Sequence, residues 1–245
     1  MILGLIPSRL NSRRLKKKPL LNIDGLPIII HTLKRALMSK SIDKVIVCTD
    51  SKKIAAIVKE QGGEAMLTSK KHQNGTERIY EVAKKFKNIN LIVDIQGDEP
   101  LVDPIDIDKV VKFHKKNKQF DIVVPCMITR NPEAKNLVKV IFSKKNKIIY
   151  FSRAKIPFDY KNSKNFTYFK DLSIVSFKPE ALKKFANSKV TRLEKQENVE
   201  LIRAIELDMN IGTFVSKGTS FSVDINEDVL KAIDVMPKNK YRKFY

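Results

Sequence analysis

The sequence predicts a three-layer α/β fold, with a mostly parallel sheet, helices on both faces and a small inserted antiparallel layer. Three observations carry this. Apolar runs of strand length alternate with amphipathic segments of helix length. That βαβα order favours parallel strands joined by covering helices. Between residues 137 and 151 the pattern changes to VKVIF, a polar KKNK and IIYFS, which reads as a hairpin. A chain of 245 residues with 42% hydrophobic content can bury a full core, and we read it as a single domain over 1–245.

The elements follow in order. Residues 2–6 read as the first strand, ended by Pro7. Residues 27–39 read as a helix with Pro27 near its first turn. Strand 43–48 and helix 52–61 come next, then helix 76–87, strand 90–96, helix 105–116 and strand 121–127. After the hairpin, 172–177 reads as strand, 179–187 and about 192–209 as helices, 211–216 as strand, and a last helix starts at Glu227. The inserted small layer spans about 137–178. There is no internal repeat and no low-complexity linker.

Bulk properties narrow the function classes. No apolar run approaches the ~20 residues needed to span a bilayer. The apolar start, Met1 to Ile6, lacks a basic leader and a cleavage site, so it reads as a strand and not a signal peptide. Cys48 and Cys126 end apolar runs and have no Cys/His metal spacing, so they read as buried free thiols in a cytoplasmic protein. The net charge of +21 raises the possibility of a nucleic-acid partner. Its lysines are spread over nearly every helix, however, and are not gathered on one face or tail. A solvated basic surface that draws in a polyphosphate is the preferred reading. Salt-dependent retention on heparin separates the two.

Four segments hold residues suited to chemistry. Asp94-Ile95-Gln96-Gly97-Asp98-Glu99-Pro100 follows a strand, and Asp98 falls where strand gives way to loop. Ligands in open α/β sheets bind outside the carboxyl ends of strands, where a carboxylate can hold a divalent cation against phosphates. The loop after the first strand offers Arg9, Ser12, Arg14 and Lys18, cations and a hydroxyl of the kind that offset triphosphate charge. It is no P-loop, because no glycine run precedes a Lys-Ser or Lys-Thr pair. Residues 68–78 place Asn74-Gly75 in a turn before a helix that Thr76 can cap, and free amides there suit an anion or a base carbonyl. His72 in this segment has no apparent partner and reads as a turn residue. Asp224, ahead of the last helix, reads either as part of its cap or as a second metal carboxylate opposite Asp98.

Taken in order, these segments resemble the bacterial 3-deoxy-manno-octulosonate (Kdo) cytidylyltransferases, the CMP-Kdo synthetases. The family pattern P-A-R-x-x-S-x-R-L-P-x-K-P-L stands here as PSRLNSRRLKKKPL, and T-x-x-x-H-x-S-G-T-E-R as TSKKHQNGTER. V-Q-G-D-E-P stands as IQGDEP, Y-F-S-R-A-x-I-P-W as YFSRAKIPF, and G-V-D-T-P-E-D-L as SVDINEDV. The match spans the chain and implies a nucleotide-binding sheet. It also implies a reaction in which a sugar acid's anomeric hydroxyl attacks the α-phosphorus of CTP, releasing pyrophosphate.

By resemblance, Asp98 and Asp224 hold Mg²⁺, and Arg9, Ser12, Arg14 and Lys18 hold the triphosphate, with Arg9, Lys18 and Asp98 as the catalytic set. Thr68, Asn74, Gly75, Thr76 and Arg78 read the cytosine and ribose. Gln96, Arg153, Asp171 and Glu200 face the sugar acid. The family's small layer forms a homodimer contact, in keeping with the tendency of exposed strand edges and apolar faces to pair.

The departures are uneven. Pro-Gly has become Lys16-Lys17 in the first loop, and Gly has become Ser222. H-x-G-I-Y-G-Y-R stands as DLSIVSFK, so Asp171 replaces a His and Val175 a Tyr, while L-E-Q-L-R stands as VELIR with Leu201 for Gln. Change is concentrated on the sugar side. Two enzyme readings follow, a divergent CMP-Kdo synthetase and a relative activating another ulosonic acid, an amino-substituted one among the options. An anion at 171 beside an acidic sugar needs a cation, for which Lys178, Arg203 or another protein group is a candidate, as is an amine on the sugar.

Overall fold

The structure is a computed structural model that describes residues 1–11, 15–161, 163, 166–218 and 220–245. β1 (Ile2–Ser8) leads through a 3₁₀ turn at Lys18–Leu20 to the short hairpin β2 (Asn22–Ile23) and β3 (Leu26–Pro27). Then come α1 (Ile28–Leu37), β4 (Lys44–Thr49), α2 (Lys52–Glu60), β5 (Glu64–Leu67), α3 (Gly75–Ala83), β6 (Leu91–Ile95) and α4 (Pro104–Lys116). The second half holds β7 (Ile122–Val123), β8 (Cys126–Thr129), β9 (Lys139–Phe142), β10 (Ile148–Ser152), β11 (Tyr168–Asp171) and β12 (Ile174–Phe177). It closes with α5 (Pro179–Ala186), α6 (Arg192–Glu197), α7 (Ile202–Glu206), β13 (Ile211–Gly212) and α8 (Asn226–Val235).

The central sheet runs β13-β7-β12-β6-β1-β4-β5, with β12 antiparallel to both neighbours and every other pairing parallel. Alternation along β1 feeds two cores. Leu3 and Leu5 pack with Ile79 and Val82 of α3 and Phe185 of α5, while Ile2 and Ile6 pack with Leu33 of α1, Val58 of α2 and Val110 of α4. Helices therefore cover both faces, as the strand–helix alternation predicts. The small sheet runs β10-β9-β11-β8 and is antiparallel.

Four expectations need correction. The run 121–127 is not one strand, because Pro125 has no N–H for a ladder. β7 stays in the central sheet and β8 joins the small one. The small sheet thus begins at Cys126, before residue 137, and β12, inside 137–178, returns to the central sheet. The helix expected over about 192–209 is two helices, split at Asn198 with φ 51°. The strand expected over 211–216 holds only Ile211–Gly212 plus a bridge from Val215 to Cys126. β5 and the β2–β3 hairpin add to the predicted elements. The turn into β5 passes through Gly62 at φ 75°, a conformation that suits glycine.

A third, smaller core holds Leu15, Ile23, Ile28, Leu101, Val223, Ala232 and Met236. It gathers chain from beside Lys18, Asp98 and Asp224, three regions far apart in sequence.

Candidate active site

Asp98 lies three residues beyond the end of β6, and Asp224 two residues before α8. Lys18 sits in the 3₁₀ turn after the first loop. Its ammonium donates to Asp98 Oδ2 at 2.6 Å and to Asp224 Oδ1 at 3.0 Å. Burial alone would lower the Lys18 pKa, but the two carboxylates outweigh it and the net direction is up. The loop meets β1 closely, since a Cβ on Gly97 would stand 2.6 Å from the Pro7 carbonyl oxygen. Only glycine fits there. Asp228 reaches back to accept the backbone N–H groups of Asp224 and Ile225, so the capping duty falls to Asp228.

Asp98 and Asp224 are thus close enough for one cation to touch both, as the Lys18 ammonium does. Among the described residues no cluster of three or more His, Cys, Asp or Glu suits a metal. Two carboxylates with the remaining ligands from water and phosphate is a donor set that fits Mg²⁺.

Arg9 stands exposed just past β1, at the same end of the sheet. Ser12 and Arg14 lie outside the described residues. In the 68–78 segment Asn74, and not Thr76, is the N-cap, its Oδ1 accepting from Glu77 N at 2.8 Å. A Cβ on Gly75 would meet Pro7 at 3.2 Å and Gln96 Nε2 at 4.0 Å, so this helix start abuts the ends of β1 and β6. Thr76 is buried, and burial pushes the nearby Glu200 carboxyl up to about 7. Arg78 is buried and already engaged by Thr68 at 2.5 Å, the Ser69 carbonyl at 3.3 Å and Asp50 at 3.1 Å. It anchors the segment. His72 does have a partner, Glu81 at 2.5 Å.

A cavity of about 490 Å³ is lined by Arg153, Lys170, Asp171, Ser173, Asp224 and Lys231, among others. Gln96 donates to Asp94 at 2.9 Å. Asp94 is buried, and desolvation, with Glu200 nearby, raises its pKa well above the usual carboxylate range. Burial likewise pushes Asp171 up to about 6, against the pull of Lys170 and Arg153. These are the cations whose charge reaches Asp171. Lys178 is instead held by the Lys118 carbonyl and Asp121, and Arg203 is paired with Glu194 at 2.6 Å. Arg153 spends its guanidinium on backbone carbonyls of Lys135, Asn136, Glu197 and Asn198, fastening two loops at the pocket rim.

Two residues that the sequence reading passed over matter here. Lys139 is fully buried, and its ammonium donates to the carbonyls of Ala134, Leu137 and Arg153 at 2.8, 2.8 and 2.5 Å. A lysine inside the apolar run VKVIF was the available signal. Glu99 turns inward and is 4% exposed, with nothing in its motif to show which way it points.

A mostly parallel sheet that presents two carboxylates on one cation's span, beside cationic loops and a polar cavity, has the layout of a nucleotidyl-transfer enzyme. Comparison with known proteins narrows the class. A family model described as cytidylyltransferase matches residues 3–211. The chain is 38% identical over 234 residues to the 3-deoxy-manno-octulosonate cytidylyltransferase of Rickettsia canadensis, covering 94% of this chain and 93% of that protein. It is 36% identical over 243 residues to the enzyme of that name from Fusobacterium nucleatum, covering 98% of each. A solved structure of CMP:2-keto-3-deoxy-manno-octonic acid synthetase complexed with CTP matches with a TM-score of 0.91 at 29% identity, covering 97% of this chain and 98% of that one. The chain belongs to the cytidylyltransferase family.

Proposed function

We propose that this enzyme activates 3-deoxy-manno-octulosonate with CTP, giving the CMP-sugar and pyrophosphate, in the cytoplasm. The observation that carries the reading is the convergence of Asp98 and Asp224 on Lys18 beside the cavity that holds Arg153 and Lys170. The sugar's anomeric hydroxyl attacks the α-phosphorus, and the bond to the β-phosphate oxygen breaks. No covalent enzyme intermediate is needed, so catalysis is positioning and charge neutralisation.

Asp98 and Asp224 would hold Mg²⁺, which supplies positive charge against the phosphates when bound. Lys18 and Arg9, with Ser12 and Arg14, hold the triphosphate. Thr68, Asn74, Gly75 and Thr76 shape the nucleoside side, anchored by Arg78. Gln96, Arg153, Asp171 and Glu200 surround the sugar acid. Lys170 and Arg153 supply the cations that Asp171 requires, which favours the plain sugar acid over an amino-substituted one.

The enzyme works as a homodimer through the small sheet. Ile128 in β8 and Ile149 in β10 each expose 55% of their surfaces, and Phe158 and Tyr160, in the chain between β10 and β11, expose 84 and 89%, apolar side chains of the kind that favour a protein contact.

Turnover of CTP with a panel of sugar acids, followed as pyrophosphate release, tests the reading. Asp98→Asn or Asp224→Asn lowers turnover by roughly 10²-fold or more, since each removes charge from the metal site. Near-native turnover in both variants removes the metal assignment, and equal use of UTP removes the cytosine-reading one.

A further inference from the structure

We infer that Glu99 is a positioning residue that sets the gap between Asp98 and Asp224, acting through Ser220 and Ser222. The inference rests on the metal reading above. Glu99 follows Asp98 in the chain, yet its side chain points into the protein while Asp98 meets Lys18. Glu99 Oε1 accepts the Ser222 hydroxyl at 2.6 Å, and Oε2 accepts the Ser220 hydroxyl. Ser173, just before β12, brings its hydroxyl to 3.5 Å from that of Ser222. One backbone bond lies alongside, from Val223 N to the Asp98 carbonyl at 2.9 Å.

Asp224 needs such support. Between Gly212 and Asn226 the described chain has no helix and no ladder strand. A carboxylate placed by an irregular segment keeps its position only where side chains fasten that segment. A buried carboxylate in turn demands donors, and two serine hydroxyls from one short segment satisfy it in a single arrangement. The same carboxylate is covalently next to Asp98. One residue therefore couples the two loops that carry the two metal carboxylates.

The strut at Ser222 depends on a hydroxyl side chain. The motif that SVDINEDV resembles has glycine at that position, which offers no hydroxyl. Outer partners of metal ligands commonly contribute about 10–100-fold in metal affinity by holding the ligands in place.

The test uses the full chain with CTP and without sugar acid, so that nothing turns over. Mn²⁺ is the probe, read by water-proton relaxation enhancement, with thermal melts in parallel. Ser222→Gly removes one strut and leaves Glu99 and both carboxylates in place. Glu99→Leu removes both struts, and Glu99→Gln keeps a side chain that can still bond a serine. The expected result is Mn²⁺ affinity weakened about 10-fold in Ser222→Gly and further in Glu99→Leu. Glu99→Gln lies between native and Leu, and Ser222→Gly melts close to the native protein.

If Ser222→Gly and Glu99→Gln both bind Mn²⁺ as the native enzyme does while Asp224→Asn does not, the metal reading stands and the positioning role falls. If Asp224→Asn itself binds Mn²⁺ like the native enzyme, both fall. Should Glu99→Leu fail to fold, Ser222→Gly and Glu99→Gln decide the matter.

Discussion

Replacing Lys139 with methionine tests whether a buried cation shapes the sugar side of the site. Methionine keeps the length and the apolar stem, so packing in β9 persists. The change leaves three carbonyls, of Ala134, Leu137 and Arg153, without the ammonium that they now share. At ~1 kcal/mol for each unsatisfied carbonyl, the low end because loop carbonyls can turn toward water, the loss is about 3 kcal/mol. For a chain of this size that is a fall in Tm of roughly 6–12 °C.

The function should split as well. Ala134, Leu137 and Arg153 line the sugar-side cavity, whereas Arg9 and Lys18 sit elsewhere. KM for the sugar acid is expected to rise roughly 10-fold, inside the ~10²-fold that a 1 Å misplacement can cost, with KM for CTP little changed. Burial, then the neighbouring Arg153, holds the Lys139 pKa below its usual 10.5. The unfolded chain therefore binds this proton more tightly, and native stability from this group rises as pH climbs from the folded value to 10.5. Lys139→Met lacks that rise. Differential scanning fluorimetry across pH and steady-state kinetics for both substrates read these effects. A Tm within about 2 °C of native and equal changes in both KM values would refute the reasoning.

Three further outcomes are expected. Asp171 is neutral below its value of about 6 and anionic above it, so KM for the sugar acid rises with pH through that value, and Asp171→Asn makes the profile flat. Asp171→His leaves the preference for the plain sugar acid intact because Lys170 and Arg153 remain; a gain in kcat/KM for an amino-substituted analogue in the native enzyme would reverse this. Ile149→Lys on the exposed face of the small sheet shifts light scattering from dimer toward monomer, and an unchanged mass would remove the small sheet as the contact.

Periodicity exposed the central architecture because each strand of β1, β4 and β6 is apolar on both faces and each covering helix has one apolar stripe. It failed where one residue redirects the chain. Pro125 sends a continuous apolar run into two sheets, and Asn198 breaks an apparently continuous helix. β5 escaped notice because Glu64–Leu67 is a half-exposed strand with a weak β signature. In the site, Asp98 and Asp224 were legible from motif and position. Their meeting at Lys18 was hidden, because the motifs read Lys18 as a ligand of the triphosphate. The inward turn of Glu99 was hidden too, since a strand that has just become a loop no longer alternates its side chains. Partner choice was equally hidden. Lys178 and Arg203 were plausible neighbours for Asp171, but Asp121 and Glu194 hold them elsewhere.

The two halves of the site are supported by different physics, and this bears on why their sequences depart unequally from the family pattern. The side proposed for the nucleotide stands on the ends of β1 and β6 and on the start of α3, where a glycine at 97 or 75 meets neighbouring chain closely and a substitution is felt at once. The cavity proposed for the sugar is fastened by Lys139 and Arg153, whose donors go to backbone carbonyls. Such bonds do not depend on the side chains of the loops that they hold. Residue 171 can therefore change while the pocket wall keeps its course, whereas Val175 and Leu201 pack in the core. The frame survives a change of lining at 171, so the proposed sugar preference can drift without first costing the chain its fold.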